Sequence, residues 1–211
     1  MRKNIHVSIL LLFAGFALLI TGCSLGKSVI GKEKVVETSG KKSKWVSSED
    51  LSYTEKDKMF FRGHVGNVYD LSLGRRQAEA DAQKHITEKI AKIVETEFTA
   101  YGRGANMSKD DIGKFAADGI AWVSEKVVIS GSEPVKQYWE KIETTTEGGV
   151  KYLYNIYVLV QLSVDDYNRA RDRAINGLAE KARIENNKKA EEAAANLLKR
   201  LRSEKAEGAT N

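Results

Sequence analysis

The chain has 211 residues, 42% hydrophobic and 30% charged, with one proline and one cysteine. Lysine and arginine number 34 against 29 acidic residues, a formal charge of +5. A lone cysteine excludes a disulfide scaffold, the mixed-sign balance lacks the concentrated basic face of a nucleic-acid binder, and the length fits one ordinary domain with extensions.

Arg2 and Lys3 open the chain, and an almost wholly apolar run follows from Val7 to Ile20. The run leaves through Thr21 and Gly22 to Cys23. A basic start, a short greasy stretch and a small-residue exit describe a secretory signal. At about 14 residues the stretch falls short of the roughly 20 needed to cross a bilayer as a helix. The ending Ile20-Thr21-Gly22-Cys23 resembles the lipobox of bacterial lipoproteins. That resemblance implies removal of residues 1–22, a diacylglycerol on the Cys23 sulfur and an acyl chain on its amino group, with no other cofactor. Several acyl chains make a lasting membrane anchor where one does not. Ser24 in place of aspartate favours the outer membrane in the enterobacterial version of this signal. The alternatives are an uncleaved anchor or an ordinary signal peptide with a chance cysteine.

Residues 23–48 are polar, with Gly26, Gly31, Ser39, Gly40 and the cluster Lys41-Lys42-Ser43-Lys44. They read as a flexible tether, spanning roughly 25–30 Å as a coil. Its lysines would be solvated or would touch anionic lipid.

A domain is expected over residues 49–178. Met59 to Val65 reads as a strand punctuated by Gly63 and Gly66. A helix follows, capped by Asp70 or Ser72. Its stripe is Ala78, Ala82, Ile86, Ile90, Ile93, Val94 and Phe98. Glu88 precedes Lys92 by four residues, the favourable order for a helical ion pair. Gly102-Arg103-Gly104 stops this helix, and Ser108 with Asp111 starts another, with Ile112, Phe115, Ala116, Gly119, Ile120 and Val123 on its apolar face. After Pro134, Lys136 to Thr145 reads as a second strand, with Tyr138 and Ile142 facing one way and Trp139 the other. Glu147-Gly148-Gly149 signals a turn into a third strand, Lys151 to Leu162.

The third strand is apolar on both faces. Tyr152, Tyr154, Ile156, Val158, Val160 and Leu162 share one, and Leu153, Tyr157 and Leu159 the other. A strand with one wet face should alternate cleanly, so both faces should be covered. The long helix covers one; another helix or a second copy of the chain must cover the other. Tyr138, Trp139, Leu153, Tyr157 and Leu159 are therefore the candidate interface residues. Ser163 caps a last helix with Asp165 and Asp166 in its first turn. Its apolar face resumes after Ile184 as Ala190, Ala194, Leu197 and Leu201. A continuous helix to Leu201 would be about 57 Å long. Residues 179–211 are thus expected to project as a charged helical extension, either a tail or a partner-binding helix.

The expected fold is α+β: a small antiparallel sheet of about three strands, order β-α-α-β-β-α, packed on a long helix with a long C-terminal helix. Phe60-Phe61-Arg62-Gly63-His64-Val65-Gly66 and Arg76-Gln77-Ala78-Glu79-Ala80-Asp81-Ala82 resemble the opening of the LPP20-type lipoproteins. Val135 to Trp139 and Tyr154-Asn155-Ile156-Tyr157-Val158-Leu159-Val160 resemble that family's later paired strands. The resemblance covers about residues 45–174. It implies an outer-membrane lipoprotein, with a flagellum-associated protein that builds discs or rings among the family's members. This chain differs in its charged C-terminal extension and in the glycines of its second helix.

Catalytic chemistry is sparse. His64 and His85 have no Cys, His or carboxylate at a metal-site spacing. Asp110-Asp111 and Asp165-Asp166 sit at helix starts, where the helix dipole explains them. Gly63-x-x-Gly66 lacks the rest of a phosphate loop. The expectation is a non-enzymatic assembly or scaffold module on the outer membrane, periplasmic or surface facing, with a homo-oligomeric or envelope-protein partner and no nucleic acid. The alternative is a binding module for peptidoglycan or another envelope protein.

Overall fold

A computed structural model describes residues 30–115, 117 and 129–208. The fold is α+β, with five strands and five helices among these residues. The strands are β1 (Glu33–Thr38), β2 (Ser52–Glu55), β3 (Lys58–Val68), β4 (Glu133–Thr146) and β5 (Gly149–Ser163). The helices are α1 (Lys44–Ser47), α2 (Leu71–Gly104), α3 (described over 109–115), α4 (Val164–Ile184) and α5 (Lys188–Gly208). The sheet is antiparallel in the order β1-β4-β5-β3-β2. Five strands replace the expected three, and the element order differs accordingly. Cys23, Ala116 and residues 118–128, which include the expected face residues Gly119, Ile120 and Val123, lie outside the described residues.

The long helix forms as its stripe dictates. Asp70 is the cap, its Oδ1 accepting from the Leu73 N–H at 2.6 Å. Ala78, Ala82, Ile86, Ile90, Val94 and Phe98 are all buried. Glu88 pairs with Lys84 at 3.5 Å, one turn before it, in place of the expected Lys92. With 34 residues α2 runs about 51 Å. Its first half lies on the sheet. The contact is close because Gly63 has no side chain: a Cβ there would stand 1.8 Å from the Ala78 carbonyl oxygen and 2.5 Å from the Ala82 nitrogen. Only glycine on the strand, facing alanines on the helix, permits this approach.

The second half of α2 leaves the sheet and joins α3, α4 and α5. Phe98 stacks on Phe115 at 5.3 Å. Ser108 starts α3 as expected, its Oγ accepting from the Asp111 N–H at 3.1 Å. Ser163 caps α4 likewise, accepting from the Asp166 N–H at 2.9 Å. Ser163 and Arg169 hydrogen-bond the Asp166 carboxylate and hold its pKa below the ordinary value.

The expected projecting extension is instead folded back. Asn186 takes a left-handed conformation (φ 56°), and the Asn187 side chain accepts from the Ala190 N–H at 3.1 Å. This closes one helix and caps the next. Ala190, Ala193, Ala194, Leu197, Leu198 and Leu201 are buried in the common core. Arg200 reaches Glu97 of α2 at 2.7 Å. Burial of this narrow seam against α2 and α4 overrides the charged composition of 179–211.

Of the expected tether over 23–48, residues 30–48 are described, and they are bound to the sheet. Glu33–Thr38 pairs with β4, and α1 lies on the sheet face opposite the long helix. Arg62, opposite Leu159 in the register, donates from Nη1 to the carbonyls of Val46 (3.0 Å) and Trp45 (3.3 Å) and also to that of Ser48. A cation at the C-terminal carbonyls of one helical turn opposes the negative end of its dipole. The chain itself thus covers part of the second face of β5.

Candidate interaction surface

Backbone register decides what each candidate residue faces. Tyr138 stands opposite Tyr157 and Ile142 opposite Leu153 on the α1 side of the sheet, with Leu159 further along the same face. Trp139 stands opposite Ile156 on the long-helix side, edge-on to Tyr154 at 5.6 Å. The five candidates therefore divide between two faces. Tyr138 and Leu159 are buried, at 5% and 1% exposure; Trp139, Leu153 and Tyr157 are half-buried. A flat apolar interface built from all five is excluded.

Around Tyr138 and Tyr157 the sequence assembles a polar–aromatic cluster. Lys42 Nζ is 2.9 Å from Glu140 Oε1, and the Tyr138 hydroxyl donates to the same oxygen at 3.1 Å. Lys42 Nζ also stands 6.0 Å and 5.9 Å from the ring centres of Tyr138 and Tyr157, within cation–π range. His64 stacks on Tyr157 at 4.4 Å. The bond to Glu140 raises the Lys42 pKa, and burial lowers that of His64. The groups satisfy one another. Their work is to fasten the segment after β1 to the sheet, which Ser39 extends by bonding both backbone groups of Trp139 at 3.0 Å.

The other histidine also has a structural partner. β2 pairs with β3 only along Lys58–Phe61, so the later margin of β3 needs other partners. From α2, the Asp81 carboxylate accepts from the His64 N–H at 3.0 Å, and His85 Nδ1 lies 2.8 Å from the Arg62 carbonyl oxygen. Among the described residues, no group of three His, Cys, Asp or Glu could hold a metal ion, and no helix is long and apolar enough to cross a membrane.

Two cavities flank these elements. One of about 320 Å³ on the α1 face is lined by Trp45, Leu51, Tyr53, Arg62 and Leu159. Another of about 780 Å³, where α2, α3 and α5 meet, is lined by Glu95, Thr99, Arg103, Met107 and Lys189. Ser108 and Asp111 also line the second, where the serine hydroxyl donates to Asp111 Oδ2 at 2.6 Å within the α3 cap.

The β1 border and the hairpin end carry exposed apolar residues beside unpaired strand edges. Val35 and Val36 of β1 are 48% and 40% exposed, and Val150 and Tyr152 of β5 are 52% and 47% exposed. β5 loses its β3 neighbour beyond Tyr154, and β1 has no strand on its outer side among the described residues. The sheet therefore ends in unfinished margins, the arrangement that other strands can extend. Sequence reading missed β1 because glycines and lysines flank it; the β-branched run within Glu33-Lys34-Val35-Val36-Glu37-Thr38 is the signal that marks it.

No family model, curated protein or solved structure matches this chain.

Proposed function

We propose that this chain is a lipoprotein of the bacterial outer membrane, anchored through acyl chains on Cys23, and that its α+β domain is a non-enzymatic assembly or scaffold module of the LPP20 type. The unfinished sheet margin supports the assembly reading, since an exposed edge strand with two solvent-facing valines offers backbone bonds and apolar area to a partner. The leader ending Ile20-Thr21-Gly22-Cys23 supports the anchor. Membrane confinement raises local concentration, so weak edge contacts suffice for assembly. A flagellum-associated role within that assembly follows from the family resemblance alone.

A peptidoglycan-binding module would draw on the tyrosines and tryptophan of the hairpin. Tyr138 is engaged with Glu140 and Trp139 packs against the main core, which leaves Tyr152, 47% exposed, as the hairpin ring open to a sugar.

Cell fractionation tests the anchor. Cys23→Ser is expected to abolish processing and release the protein from the membrane fraction; unchanged processing and partition would overturn it. Sedimentation of the full chain in detergent tests assembly, with a strict monomer at high concentration as the refuting result.

A further inference from the structure

We propose that two copies of the chain join through β1, antiparallel about a two-fold axis perpendicular to the sheet and passing between Val35 and Val36. The two five-stranded sheets would become one of ten strands. This rests on the assembly reading above and names the surface that assembly uses.

Edge strands are commonly guarded by charges and bulges. In β1 both devices are self-complementary. Lys34 stands opposite Glu143 and Glu37 opposite Lys141, with a register shift between Val35 and Glu37. Glu143 and Lys141 are two residues apart on β4 and share a face. Lys34 and Glu37, three residues apart, therefore share that face as well, which a regular strand would forbid. The extra residue of the bulge makes this possible.

A two-fold axis perpendicular to a sheet preserves its faces, so residues that meet across it must point the same way. With the bulge, Lys34 can meet Glu37 of the second copy, Val35 its Val36, and Glu33 its Thr38. Crossing the border along one face, the side chains read Glu143 and Lys34, then Glu37 and Lys141 of the second copy. The signs alternate over four strands, and symmetry repeats the row. One link of that row is already made within the chain, Lys141 Nζ to Glu37 Oε2 at 3.5 Å. The half-exposed valines supply an apolar centre. A slip of one residue puts Glu33 opposite Glu37 in one direction and Val35 opposite Glu37 in the other, losing the complementarity.

The test is sedimentation velocity of the full lipidated chain in density-matched detergent. Lys34→Glu and Glu37→Lys each set like charges together at two places across the border and are expected to weaken self-association roughly tenfold. Mixed in equal amounts, the two variants present opposite signs at both places, and association is expected to return to within about threefold of wild type. Val36→Lys, at a position 40% exposed, is expected to weaken association about as much as either reversal. Wild-type-like association of Val36→Lys, or a mixture of folded reversals no better than either alone, overturns this register while leaving assembly through another surface standing. A wild-type monomer overturns both readings.

Discussion

The sheet half and the helical end of this molecule share α2 yet are held together by different means. On the sheet, the helix backbone comes nearly into contact with the strand at Gly63, and polar side chains from α2 finish the margin of β3. At the helical end, contact is made by filling: Phe98 on Phe115, and an alanine and leucine seam from α5. A contact set by backbone proximity tolerates no added atom. A contact set by interdigitating side chains can shift by fractions of an ångström.

That contrast is broken most directly by adding one methyl group to each half. Gly63→Ala should cost about 3 kcal/mol or more in chemical denaturation, because the new Cβ meets backbone atoms that cannot move aside. Gly102→Ala, whose Cβ would lie 3.0 Å from Ile112 side-chain atoms rather than against backbone, should change stability by no more than about 1 kcal/mol, since the gain in helix propensity offsets the crowding. Equal losses at both positions would refute the distinction.

A smaller effect is expected where the sheet half is clamped from its other side. Arg62→Gln removes the charged donor to the carbonyls of Trp45, Val46 and Ser48, a loss of about 1.5–3 kcal/mol. Hydrogen exchange should accelerate at the Val46 amide, bonded to the Ser43 carbonyl, while amides of α5 keep their protection. Uniform acceleration through both halves would show that α1 is not a separable unit.

The smallest effect concerns Tyr167, where the halves meet beside Phe61 at 6.4 Å. Its hydroxyl is buried without a hydrogen-bond partner among the described residues, and burial pushes its pKa from 10.0 up to about 12. The folded pKa lies above the unfolded one. The contribution of the neutral phenol is therefore intact below pH 10 and lost as pH rises through about 12. Tyr167→Phe should be neutral or stabilising by up to about 1 kcal/mol at pH 7. It should also lose less stability than wild type between pH 10 and 12. A steeper alkaline loss in the variant would contradict this assignment.

Regular periodicity made much of the fold legible. The α2 stripe, the hairpin of β4 and β5, and the serine caps of α3 and α4 all follow from spacing and local chemistry. Elements whose stability is tertiary were not legible. β1 has no buried residue of its own and exists because β4 is long enough to carry it. Arg62 shows in sequence only as a charge within an aromatic strand, and nothing local announces that it would gather carbonyls from α1. The return of α5 had a local sign, the pair Asn186-Asn187, but composition favoured a solvated tail. At the candidate surface, alternation sorted the residues by face correctly. It could not reveal that residues 42–48 would occupy the neighbourhood of Tyr138 and Leu159.

The early entry of β1 into the sheet sets an orientation. The Gly31 amide is already bonded to the Thr145 carbonyl at 2.8 Å, beside the tip of the hairpin. Cys23 is eight positions earlier, a leash of at most about 29 Å. Under the proposed Cys23 anchor, the hairpin tip would be the membrane-proximal pole. β5, at 15 residues, would then set the four-helix pole about 50 Å further out, a stand-off that turns α3 and the α4–α5 elbow away from the anchored end.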